Sequence, residues 1–293
     1  MIVPDILYKY TTASTAKIVL ESSRLRWSSL GYFNDPNEFQ RLPVFDPDID
    51  ECYEEYIQLI VKIALCEDRP TNWDQFNPLT VLLIEMLKAA LLKGVTPESL
   101  QAELVSVPQK KVNYELIREY VDNVDTKSAR VFCLTTEYSN NVMWASYAQG
   151  HTGCVLGFRH LVEKNTPFLA ANPIDYTKGP PTLDSGLDFL LYKPTAELRK
   201  KIHLAICYSK DEEWAYEEEW RVITWREEEG ERDYGDYTFY EEELESVTLG
   251  SSMDHDESVE IIDLVRSRYE RCSVYRMEHI KGRSVRNLVY DAE

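Results

Sequence analysis

The apolar residues of this chain change period twice, and that alternation restricts the fold more than any other feature. Near the start, ILYKY (6–10) and RLRWSS (24–29) alternate as strands do. Between them Thr12 or Ser14 is placed to cap a short helix running to about Glu21. Residues 48–66, 78–93, 97–105 and 109–123 then carry apolar side chains at helical spacing, punctuated by Pro70, Asn77–Pro78, Gly94 and Pro97. From Ala129 the strands return. ARVFCLT and GCVLGFR read as strands on either side of NNVMWASYA, a short helix capped by Asn140 or Asn141. Residues 184–207 read as helical, with Pro194 dividing them. RVITW (221–225), SVTLG (246–250) and CSVYRM (272–277) read as strands, and ESVEIIDLVRSRY (257–269) as an amphipathic helix. The order predicts a mixed α+β fold: one domain over 1–293, with an all-helical insertion at about 46–127.

Hydrophobic residues at 44% and aromatics at 12% suffice for a packed core. The strongest apolar stretches, Tyr56–Cys66 and Leu79–Leu92, are broken by Lys62, Glu85 and Lys88, so no membrane span is expected. The opening MIVPDILYKY has neither a basic segment nor a signal-length apolar run, which points to a cytoplasmic protein. The six cysteines form no C-x-x-C pair and mostly sit in apolar runs, as reduced thiols do. The five histidines are dispersed, so no metal site is expected.

The net charge of −19 is concentrated. Residues 211–245 hold sixteen acids and three bases, a net of −13, leaving −6 for the rest. Such density predicts mostly loop or solvated face. It also opposes the broad basic groove that sequence-independent nucleic-acid binding requires, and offers a docking face to a basic partner.

Within that segment lies WAYEEEWRVI (214–223). Strand alternation puts Glu219, Arg221, Ile223 and Trp225 on one face and Trp220, Val222 and Thr224 on the other. Arg221 can therefore hold Glu219 ionised, either as a structural ion pair or as part of a site. Glu217 and Glu218 read as an acidic turn before the strand. In FNDPNEF, Phe33 and Phe39 flank a polar turn containing Asn34, Asp35 and Glu38, for which a structural role is sufficient. Trp144, Tyr147 and His151 follow helical spacing, and Lys9 alternates with Tyr8 and Tyr10, where a lone lysine points to solvent.

Taken together and in order, LYKY, RLRWSSLGYFNDPNEF, NVMWASYAQGHTGCVLGF and WAYEEEWRVI resemble a bacterial family, domain of unknown function 2971. The blocks span residues 7–223. More distantly, the β-α-β opening, the Met-Trp helix and the glutamate before a late apolar strand are similar in order to ADP-ribosyltransferase folds. The nearest likeness is to bacterial toxins that modify DNA bases. That likeness implies a strongly bent sheet, NAD as substrate, and ADP-ribose transfer to a nucleic-acid or protein acceptor in a toxin or phage-defence role. It implies Glu219 as the catalytic glutamate, supported by Arg221. Lys9 stands where those toxins have a histidine at the NAD ribose, with Tyr10 and Thr11 beside it. Tyr10, Trp144 or Tyr147 would shelve nicotinamide, and Asn34, Ser28 and Ser29 would orient the pyrophosphate, with Phe33 and Asp35 in the same loop.

Two other classes compete. Asp35 with Glu219-x-Arg221 imitates the carboxylate pattern of a metal-dependent nuclease, although arginine replaces the usual lysine. A non-enzymatic binding module would use the same blocks for packing and the acidic segment for docking.

Overall fold

The computed structural model describes residues 2–29, 33, 35, 37–106, 128–225 and 233–292. In chain order its strands are β1 (Ile6–Thr11), β2 (Arg24–Ser28), β3 (Val44–Phe45), β4 (Ala129–Thr135), β5 (Cys154–Arg159), β6 (Asn172–Pro173), β7 (Asp175–Thr177), β8 (Thr182–Leu183), β9 (Ser209–Asp211), β10 (Glu219–Trp225), β11 (Tyr234–Thr238), β12 (Leu244–Leu249), β13 (Ser273–Ile280) and β14 (Arg283–Tyr290). The chain forms two compact units, residues 1–38, 125–176 and 210–293, and residues 39–124 and 177–209.

The first unit is built on a ten-stranded mixed sheet, eight strands in the order β11-β2-β4-β1-β5-β12-β13-β14 and two more, β10 and β6, branching from β4. Alternation decides what each face meets. Leu7 of β1 packs with Leu134, Leu156, Val222 and the helices Ala13–Ser22 and His255–Arg268, through Ala16, Val19, Ile261 and Val265. Its neighbours Tyr8 and Tyr10 turn to the other face, where they meet Met143, Trp144, Val155 and Met277. The strand β10 obeys the same rule, with Val222 in the first cluster and Trp220 packed against it.

The strand β4 is the junction that positions the site. On one edge it pairs antiparallel with all of β10, from Glu219↔Thr135 to Trp225↔Ala129. On its other edge it meets β1 only at Tyr8↔Thr135 and β2 only at Ser28↔Val131. These contacts fall on either side of Phe132–Leu134, which therefore border a gap between β1 and β2.

The second unit is helical around Tyr56, Ile57, Ile60, Ile84, Leu87, Leu100 and Leu191. Asp48 caps the helix Ile49–Leu65, while Asn77 and Thr96 cap Pro78–Leu92 and Pro97–Val105, each with proline in the first turn. Tyr56 Oη lies 2.9 Å from Thr80 Oγ1, which donates to Leu190 O at 2.7 Å. Residues 184–207 give two helices, Gly186–Leu191 and Ala196–Cys207, on either side of Pro194. The expected helix at 109–123 lies outside the described residues.

The late strand runs Glu219–Trp225, with Glu219 in it as the alternation placed it, because the ladder to β4 continues to Thr135. Two expectations are corrected. The last strand returns as β14 through Lys281–Gly282, both at positive φ (51° and 77°), a two-residue hairpin without the usual Asn-Gly signal. The acidic segment 211–245 is less solvated than its charge implied: it contains β10 and β11, and Glu217, Glu219 and Glu243 are buried. Among the described residues, no helix is long and apolar enough to cross a membrane.

Candidate functional site

The three consecutive glutamates diverge because of one backbone angle. A 3-10 turn, Glu212–Glu217, ends at Glu218, whose φ of 44° places it in the left-handed region. Its side chain turns outward and accepts from Thr136 Oγ1 at 2.9 Å. Glu217 and Glu219, each 4% exposed, turn inward on either side of it. Glu217 was read as part of the acidic turn; it belongs to the buried cluster instead.

Two cations hold the cluster together. Lys210 Nζ lies 2.6 Å from Glu217 Oε2, 3.2 Å from Glu219 Oε2 and 3.7 Å from Glu38 Oε2. Arg221 Nε donates to Glu219 Oε1 at 2.8 Å, and its Nη2 donates to Glu38 Oε1. Tyr147 Oη donates to the remaining Glu217 oxygen. Both Glu217 and Glu219 thus have each oxygen engaged. Glu38 does not: its Oε2 is buried with no hydrogen-bond partner among the described residues.

These surroundings separate the carboxyl groups. Burial alone would raise the Glu219 pKa, but Arg221 and Lys210 overcome it and pull the group down to about 2. Burial raises the Glu38 pKa, the negative charge of Glu219 adds to that rise, and Arg221 and Lys210 only partly offset it. Burial works against the charged form of Lys210, but Glu219, Glu38 and Glu217 together raise its pKa. Burial also pushes up the Cys133 thiol, and the charge of Glu219 adds to the effect.

A cavity of about 200 Å³ opens onto this cluster, walled by Tyr8, Tyr10, Phe33, Met143 and Tyr147. A cavity of about 150 Å³ holds a benzene ring, so one ring-sized group fits here. Lys9 reaches into the gap beside β4 instead of solvent: its Nζ donates to Cys133 O at 2.9 Å and lies 5.0 Å from the centre of the Phe132 ring. The backbone carbonyl left by the parting of β1 and β2 accounts for that orientation.

The remaining expected residues divide. Ser28, Phe33 and Asp35 line the cavity, with the Arg221 guanidinium 5.6 Å from the Phe33 ring centre and Asp35 Oδ1 accepting from Asn37 N. Thr11, Ser29 and Trp144 are not lining residues. The Ser29 amide donates to Asp233 O, and Trp144 is wholly buried behind Tyr10, its Nε1 donating to Tyr138 O at 2.9 Å. Asn34 lies outside the described residues. Sequence reasoning missed Lys210, the single base heading an acidic run, and gave Glu38 only a turn. Among the described residues, no group of three or more His, Cys, Asp or Glu side chains could hold a metal ion.

Fold and site define an α+β protein whose mixed sheet carries a buried, charge-paired recess. Residues 143–222, which include Tyr147, Lys210, Glu217, Glu219 and Arg221, match the family described as a protein of unknown function (DUF2971), supporting the resemblance read from the motifs. No curated protein and no solved structure matches the chain.

Proposed function

We propose that the recess is the active site of an ADP-ribosyltransferase-like enzyme that cleaves NAD and passes ADP-ribose to a nucleic-acid or protein acceptor. The observation that carries this reading is Glu219, an ionised carboxylate held by Arg221 and Lys210 beside a ring-sized, aromatic-walled cavity. Cleaving the nicotinamide–ribose bond develops positive charge on the ribose, and a fixed carboxylate favours that charge where water is excluded. Tyr10 and Tyr147 supply faces for the nicotinamide ring, and Lys9 lies in the gap where β1 and β2 part. The test is incubation with labelled NAD and cell lysate. Wild type releases nicotinamide and labels an acceptor, and Glu219→Gln does neither; a wild type that leaves NAD intact refutes the reading.

A second reading has its own observation. All four oxygens of Glu217 and Glu219 are already engaged by Lys210, Arg221 and Tyr147, as in a buried ion-pair network whose role is structural. On that reading Glu219→Gln lowers stability by roughly 3–5 kcal/mol, since the cations lose a buried partner, and no NAD chemistry is present to lose.

A further inference from the structure

Resting on the NAD reading, we infer that Glu38 is the group that takes the proton from the attacking acceptor. It was assigned only a turn role by the sequence, and it comes from a different segment than Glu219. Its side chain is 2% exposed and lines the cavity. Arg221 fixes Oε1, which orients the carboxyl plane, and Oε2 is left buried with no hydrogen-bond donor among the described residues. The Lys210 ammonium, 3.7 Å away, offers charge but no hydrogen bond, and a buried carboxylate oxygen that receives none costs free energy, unlike its saturated neighbours. A substrate O–H or N–H entering the cavity removes that cost by donating to Oε2.

The roles then separate. Glu219, saturated and ionised, favours positive charge on the ribose. Glu38, whose Oε2 receives no hydrogen bond among the described residues and whose proton affinity is raised, accepts the proton; pairs of groups pushed apart in this way mark acid–base assignments. With water as acceptor, a bond forms between the water oxygen and ribose C1′ while the C1′–nicotinamide bond breaks. Its electron pair passes to the pyridinium nitrogen, so nicotinamide leaves neutral. The water proton moves to Glu38 Oε2 and from there to solvent. The charged groups facing Glu38 are Arg221 and Glu219 on β10 and Lys210 on β9. Glu38 works as a base only when deprotonated, so the rate rises with pH through its folded-state pKa.

The experiment follows nicotinamide release from labelled NAD, with water as acceptor, across pH 5–9 in wild type, Glu38→Gln and Glu38→Asp of the full chain. We expect Glu38→Gln to lower kcat by about 10²–10⁴-fold, the usual span for an acid–base group, with KM for NAD little changed. The rising limb of the wild-type profile flattens in Glu38→Gln and shifts in Glu38→Asp. A structural role moves neither limb. If Glu38→Gln melts early, the Glu38→Asp limb decides, and an unshifted limb overturns the assignment. An active wild type with an unaltered Glu38→Gln profile overturns this inference alone. A wild type inert toward NAD overturns the functional reading, and this inference with it.

Discussion

Replacing Arg221 with methionine removes the guanidinium that joins Glu219 to Glu38. Arg221 is fully buried and donates to both Glu219 and Glu38. Without it, Lys210 alone faces three carboxylates, and neither Glu38 oxygen keeps a hydrogen-bond donor among the described residues. Breaking a buried ion pair from one side costs about 3–5 kcal/mol. The depressed pKa of Glu219, to which Arg221 and Lys210 both contribute, is of the same order. A carboxyl group lowered from 4.5 to about 2 contributes on the order of 3 kcal/mol. Because the folded value is depressed, that contribution is present above the unfolded pKa and disappears as pH falls from 4.5 towards 2. In Arg221→Met the remaining carboxyl groups rise and take up protons, so the penalty shrinks on acidification, at roughly 1.4 kcal/mol per pH unit for each proton bound. Urea unfolding monitored by tryptophan fluorescence at pH 7.5 and pH 5.5 measures both effects. We expect a loss of about 3–5 kcal/mol at pH 7.5 that falls by about 1–3 kcal/mol at pH 5.5. A loss below about 0.5 kcal/mol, or one independent of pH, would refute the electrostatic description of the cluster.

Asn140→Ala removes the side-chain acceptor for Val142 N and Met143 N, and should cost about 0.5–2 kcal/mol in a thermal melt. It should also raise KM for NAD, because that helix carries Tyr147. Gly153→Ala places a methyl group 2.2 Å from Thr11 O, with the Ala148 backbone at 3.0 Å, so nothing flexible can yield. We expect about 3 kcal/mol of destabilisation by urea titration, and an unchanged midpoint would contradict the close approach. EDTA should leave nicotinamide release unaltered; its abolition would favour the nuclease class, where carboxylates hold a divalent ion.

Much of the architecture was legible because periodicity is local. ARVFCLT coincides with β4, and the helices at 49–65, 78–92 and 97–105 fall where helical spacing and the breaks at Pro70, Asn77–Pro78, Gly94 and Pro97 placed them. The Glu219–Arg221 pair was legible for the same reason, since residues two apart share a strand face. Glu217 was not: a run of acids reads as solvated unless one residue adopts positive φ, and Glu218 lacks the glycine that signals it. Glu38 and Arg221 lie 183 positions apart, and no local pattern records that pairing. The gap at β4 likewise depends on where β1 and β2 meet a third strand.

The most direct test of the proposed active site is a crystal structure with a non-hydrolysable NAD analogue. We expect the nicotinamide ring against Tyr10 and Tyr147, the Glu219 carboxylate facing the ribose, and an acceptor oxygen in hydrogen-bond reach of Glu38 Oε2 at the roughly 3–3.5 Å from C1′ that a reactive arrangement requires. An analogue bound elsewhere on the chain, with the recess closed to it, would contradict the account.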